Sequence, residues 1–91
     1  MRIVHIDNRF SAKTEHGEAE LLYEVDGNKM RIYHTFVPAK DRGKEMAKRL
    51  MDVAVVFAKK KSLDIDPQCP YALHYMKKYM VDKPPANAKS R

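Results

Sequence analysis

With a single cysteine the chain can form no internal disulfide, and none of its Cys or His residues fall at zinc-site spacing, so no metal is expected. Long apolar runs are also missing. Nothing approaches the length of a membrane span, and Met1-Arg2 leads straight into a strand pattern without a signal-peptide core. The expectation is a cytoplasmic protein with no membrane partner. Repeats and linkers are lacking as well, and 91 residues leave room for one domain but not for a separate substrate domain. What is present, 44% hydrophobic and 33% charged residues, is the composition of a folded globular chain.

Acidic residues are scarce in one half. Residues 1–39 carry five Lys or Arg against six acids, whereas residues 40–91 carry thirteen against six, giving a net charge of +6 overall. A basic half suits an anionic ligand, either a nucleotide cofactor or a nucleic acid.

Residues Arg2 to Asn8 alternate around Val4 and Ile6 as a short strand, followed by a turn before Phe10-Ser11-Ala12. From Glu18 to Val25 the residues Ala19, Leu21, Tyr23 and Val25 share one face opposite Glu18, Glu20 and Glu24, a half-exposed antiparallel strand. Asp26-Gly27-Asn28 is a hairpin turn, and the returning strand puts Met30, Ile32, His34 and Phe36 on one face until Pro38 ends it. Beyond Lys44 the period becomes helical through Ala47, Leu50, Met51, Ala54, Phe57 and Ala58, and Lys59-Lys60-Lys61 complements the dipole at its end. Ser62 to Pro67 reads as a short strand, and Pro70 opens a helix to about Val81. The expected fold is α+β: a mostly antiparallel sheet with one parallel strand pair in a right-handed β-α-β unit over residues 30–66, and two packed helices. Residues 1–81 form the expected domain and 82–91, with Pro84-Pro85, a mobile tail.

The run from His34 to Leu50 carries the chemistry. A strand feeding a basic loop that opens a helix presents unpaired backbone N–H groups and the positive end of a dipole, which suit a phosphate. Lys40, Arg42 and Lys44 add charge at that mouth. The competing reading is a solvated polar turn.

The same run resembles the acyl-CoA signature of the GNAT (Gcn5-related) N-acetyltransferases: Arg or Gln, two residues, Gly, one residue, then Gly or Ala. Arg42 takes the first place and Ala47 the last, with Glu45 where the first signature glycine stands and Gly43 beside the Arg. The chain looks like the small single-domain GNAT-like family marked by His-Thr-x-Val and Cys-x-Tyr. Those elements appear here as His34-Thr35-Phe36-Val37 and Cys69-Pro70-Tyr71, and the likeness covers residues 3–80.

The resemblance implies a compact GNAT-like fold and transfer of an acetyl group from acetyl-CoA, the only cofactor, to an unidentified amine. It places the pantetheine arm in a gap between two splayed strands, along Phe36 and Val37 with Ile65 to Pro67 across from them. The pyrophosphate falls on Arg42, Gly43, Lys44, Glu45, Met46 and Ala47. It also offers three catalytic candidates, each set against packing. Cys69 precedes a helix, where N–H groups favour an anion, and the family holds this Cys near the thioester; otherwise it is a small buried side chain. His34 is either a core histidine or a base. Tyr71, Tyr75 and Tyr79 recur every four residues as one stripe, from which Tyr75 is the candidate proton donor to the leaving thiolate. The alternative, from a different class, is a basic module for nucleic acid or an acidic partner, or a CoA-binding protein without catalysis. The basic module would use Lys40, Arg42, Lys44, Lys48, Arg49 and Lys59 to Lys61, though no aromatic series interleaves that run for base stacking.

Overall fold

The computed structural model describes residues 2–80. The expected tail, 82–91, lies outside them, as does Val81 at the expected helix end. Five strands form one sheet in chain order: β1 (Val4–Ile6), β2 (Arg9–Thr14), β3 (Gly17–Asp26), β4 (Lys29–Phe36) and β5 (Asp64–Pro67). A 3₁₀ turn, Ala39–Asp41, and helix α1 (Met46–Lys60) connect β4 to β5, and α2 (Pro70–Tyr79) follows. The first three pairings are antiparallel, while β4 and β5 run parallel from Lys29↔Asp64 to Ile32↔Pro67. The α+β architecture with a β-α-β unit is thus as the sequence indicates.

Both helices cover one face of the sheet. Leu50, Met51, Ala54 and Ala58 of α1 and Ala72 and Tyr75 of α2 join Phe10, Leu21, Tyr23, Met30 and Ile32 in one core. Burying these side chains contributes about 1.5–3 kcal/mol for each large one. The opposite face, with Glu18, Glu20 and Arg9, is solvated and held by ion pairs of 2.7 and 3.0 Å from Arg9, as suits a one-sided antiparallel sheet.

Two local readings need correction. The stretch after Asn8 is a further strand, β2, because a two-residue turn with Asp7 in the left-handed region (φ 55) reverses the chain at once. The expected short strand around Val4 and Ile6 is β1, in which those two are 41% and 62% exposed while His5, between them, stacks on Phe10 at 4.0 Å. Finally, His34 and Phe36 do not share a face with Met30 and Ile32. Tyr23 pairs with Ile32 but Leu22 with His34, so Tyr33 is an extra residue, a β-bulge. Because side chains alternate with a period of two, one inserted residue turns everything after it to the other face. Thr35, opposite buried Leu21, now points inward, and His34 points outward to Glu20, with 3.3 Å between Nε2 and Oε2.

Candidate functional site

The parallel pair β4/β5 separates immediately past Pro67. The Gln68 N–H donates to the Ile32 carbonyl at 2.8 Å, and beyond that point β4 continues to Phe36 while the chain turns away into α2. The divergence leaves a groove of about 520 Å³ between the end of β4, the start of α1 and one face of α2. Ile65 to Pro67 are not across this gap. They pair directly with Met30 to Ile32, and the residues facing the end of β4 are Tyr71 and His74 of α2.

One wall comprises Thr35, Phe36 and Val37. A second is the loop and helix start: Arg42, Gly43, Glu45, Met46, Ala47 and Lys48. Seven of the eight residues that the resemblance assigns to the cofactor are therefore brought together, and only Lys44 is outside. Its Nζ turns to the other side, 3.3 Å from Asp41 Oδ1 and 3.5 Å from Glu15 Oε1. Arg42 folds back so that its Nε donates to the Val37 carbonyl at 3.1 Å, tying the loop to the strand end.

The loop reaches α1 through two residues in left-handed backbone, Gly43 (φ 86) and Glu45 (φ 62, ψ 23). Glu45 is the N-cap of α1, one position before the helix, and its carboxylate makes no capping hydrogen bond. The first N–H groups of α1 thus have no side-chain cap, which leaves donors and the positive dipole end facing the groove.

The three catalytic candidates lie apart from one another. Cys69 is the N-cap of α2, 7% exposed, its Sγ accepting the Ala72 N–H at 3.4 Å and lying 3.8 Å from Thr35 Oγ1. It sits behind the groove wall where β4 and β5 part. His34 is on the opposite face of the sheet. Tyr75 is buried between the helices, donating its hydroxyl to Asp52 Oδ1 at 2.5 Å. Burial first, and that carboxylate second, push its phenol far above its ordinary range. The expected tyrosine stripe is present, and the phenols lining the groove are Tyr71 and Tyr79. Burial raises the Tyr71 phenol as well.

Sequence reasoning missed His74, Lys78 and Asp41. The first two were legible: Tyr71, His74, Lys78 and Tyr79 fall at i, i+3, i+7 and i+8, one helix face. Asp41 was not, because a charged residue in a basic loop reads as solvated, yet it is 0% exposed. The Thr14 hydroxyl, close by but outside hydrogen-bonding geometry, and then the hydrogen bonds from His16 and Lys44 hold its carboxyl well below the usual carboxylate range. Glu15, His16 and Asp41 bring three ligand atoms within 4.8 Å, but the Lys44 ammonium lies against both carboxylates and supplies the positive charge there.

Among the described residues, the basic side chains that a nucleic-acid module would use are spread out and partly paired. Lys44 is paired with Asp41 and Glu15, Lys48 with Asp52 at 3.1 Å, and Lys59 to Lys61 stand at the far end of a 15-residue helix. That separates them from the loop by roughly 22 Å at the helical rise. A groove that joins a free strand edge to a basic helix start is better suited to an elongated anionic ligand than to a nucleic-acid backbone.

A family model described as GCN5-related N-acetyl-transferase matches residues 9–83. Among solved structures, a solution NMR structure of a GCN5-like candidate N-acetyltransferase from Staphylococcus aureus is similar at 28% identity and a TM-score of 0.66. That similarity covers 85% of this chain and 78% of the other. No curated protein matches.

Proposed function

Because the chain belongs to the GCN5-related N-acetyltransferase family, we propose that it binds acetyl-CoA in the groove between β4, the start of α1 and α2, and transfers the acetyl group to an amine. The observation that carries this is the parting of β4 from β5 beside an uncapped, basic helix start. A pantetheine arm needs an extended partner, and the edge of β4 past Ile32 offers backbone groups that β5 does not use. A pyrophosphate needs N–H donors and positive charge, which Gly43 to Ala47 and Arg42 supply.

In this reading the thioester lies at the inner end of the groove, near Thr35 and Cys69. The amine nitrogen attacks the carbonyl carbon, a C–N bond forms, the C–S bond breaks, and one proton leaves the nitrogen while one reaches the departing thiolate. Cys69 stays a candidate for positioning the acetyl group. His34, on the outer face with Glu20, is a candidate base for an amine arriving from that side. For the proton donor, Tyr71 faces the groove, whereas the Tyr75 hydroxyl is engaged by Asp52; both remain candidates.

Calorimetric titration with acetyl-CoA, followed by NMR of the amides of residues 36–48, tests the reading. Saturable binding with shifts along both walls supports it. No heat and no shift at millimolar ligand would overturn it and leave a shared fold. If acetyl-CoA gives no binding while an oligonucleotide binds with an affinity that collapses between low and high salt, the nucleic-acid alternative is favoured, since phosphate-backbone contacts are lost steeply with ionic strength.

A further inference from the structure

We propose that Asp41 is the positioning residue of the phosphate loop, so that the β2–β3 turn, through Asp41, is a working part of the acetyl-CoA site. This rests on the acetyl-CoA reading above and adds to it a part of the chain far from the signature residues.

Asp41 immediately precedes Arg42, and both of its oxygens are engaged. Oδ2 accepts the His16 backbone N–H at 3.1 Å, and Oδ1 lies 2.9 Å from His16 Nδ1 and 3.3 Å from Lys44 Nζ. His16 belongs to the turn joining β2 and β3, and Lys44 lies three residues further along the loop. One buried carboxylate therefore ties the loop to the turn and closes the loop on itself. The groups facing it are the Thr14 hydroxyl, the Glu15 carboxylate, the His16 imidazole and the Lys44 ammonium.

A second contact is independent of that charge. At Gly17 (φ 150), the first residue of β3 as the chain leaves the turn, a Cβ would meet Pro38 Cγ at 3.1 Å, so the exit of the turn presses closely on the start of the loop. The turn thus grips the segment at two points, residues 38 and 41, just before the backbone swings through Gly43 and Glu45 into α1. An apolar side chain at position 41 could fill the same space without desolvating a charge. What it could not do is fix direction: hydrogen bonds from two elements set where Arg42 and the following N–H groups point, and in a phosphate site geometry decides binding.

The test compares wild type with Asp41→Asn, which keeps size and removes charge. Acetyl-CoA and S-acetylpantetheine, which lacks the phosphates, are the two probes. The expected result is that acetyl-CoA weakens by about fivefold or more, the scale of one lost hydrogen bond, while S-acetylpantetheine is unchanged. Without ligand, amide hydrogen exchange over residues 42–46 should quicken by roughly tenfold while the centres of β3 and α1 are unaffected. Equal affinity for acetyl-CoA in both proteins, or equal weakening of the two probes, would overturn the proposal, the second by making Asp41 a general stabiliser. Should wild type bind neither probe, the acetyl-CoA reading fails, and the loop-specific exchange alone decides whether Asp41 positions the loop. If Asp41→Asn does not fold, His16→Ala removes the imidazole contact and leaves the backbone bond. The same pattern at about twofold is then expected, and no change in loop exchange rejects it.

Discussion

At the scale of single residues, Glu45 shows how backbone conformation decides what a side chain costs. A helix reading from Lys44 puts Glu45 in the first turn, where glycine would be a loss. Its observed place is the N-cap in left-handed backbone, where an L-residue pays about 1–2 kcal/mol and glycine does not. Against this stands the greater freedom glycine loses on folding, about 0.5–1 kcal/mol. Glu45→Gly is therefore expected to leave thermal stability equal or slightly higher, and to tighten acetyl-CoA by removing charge and bulk beside the phosphates. Glu45→Gln removes only the charge. Melting curves and calorimetry on the pair separate backbone from charge, and a lower Tm for the glycine variant would contradict the conformational argument. Arg42→Ala should weaken acetyl-CoA by about 1–3 kcal/mol, the range for a charge-assisted hydrogen bond; unchanged affinity would move the pyrophosphate elsewhere. Cys69 turns the other way. Standing before a helix suggests a reactive thiol, but its 7% exposure predicts slow alkylation. Iodoacetamide labelling read by mass spectrometry should be at least roughly tenfold slower in the native protein than in urea, since the reagent must wait for opening. Fast native labelling would instead place the sulfur in the groove. Asp41 was the residue least visible in advance, because nothing in Lys40-Asp41-Arg42 signals that the middle charge is buried.

Among the elements, those with strong local signals were legible. Asp26-Gly27-Asn28 marks its hairpin, Pro38 ends β4, and helical spacing from Ala47 to Ala58 marks α1. What escaped was β2, where Phe10 and Ala12 are the only apolar residues among Arg9, Ser11 and Lys13, and the bulge at Tyr33. A bulge leaves the residue types unchanged and only moves their register, so alternation carried past Ile32 assigns His34 and Phe36 to the wrong face. The helix pair offers a test of assignment at this scale. Tyr75 and Asp52 join α2 to α1 through a part-buried hydrogen bond, and Asp52 also holds Lys48 at 3.1 Å. Tyr75→Phe keeps the ring packed and removes that bond. It should cost about 1 kcal/mol, a fall in Tm of roughly 5 °C for a domain this small, with acetyl-CoA binding retained. If transfer activity vanished while Tm and binding held, the Tyr75 hydroxyl would be acting in the chemistry and its place between the helices would not be its only role.

For the whole molecule, charge and titration set the conditions under which the fold persists. The chain is cationic by +6, so acid adds repulsion by neutralising the remaining carboxylates, and salt screens that general effect. Superimposed on it are specific groups with opposite signs. The Asp41 carboxyl is lowered in the fold, so its contribution is fully present above the unfolded aspartate value of about 3.9 and is lost as pH falls through the folded one. Tyr75 is raised, as are Tyr23 and Tyr71 by burial, so their contribution is fully present below the unfolded tyrosine value of about 10 and is lost as pH climbs past it. Between these limits neither group changes protonation on unfolding, and neither should tilt the stability curve. Melting temperature against pH at fixed ionic strength should therefore fall on the acid side in wild type and less steeply in Asp41→Asn, which has no carboxyl to titrate there. On the alkaline side the slope should shrink in Tyr75→Phe while the acid side is unaltered. Curves for the Asp41 variant that run parallel to wild type below pH of about 4 would mean that the buried carboxylate is no better held in the folded state than in the unfolded chain, and that the turn does not grip the loop through it.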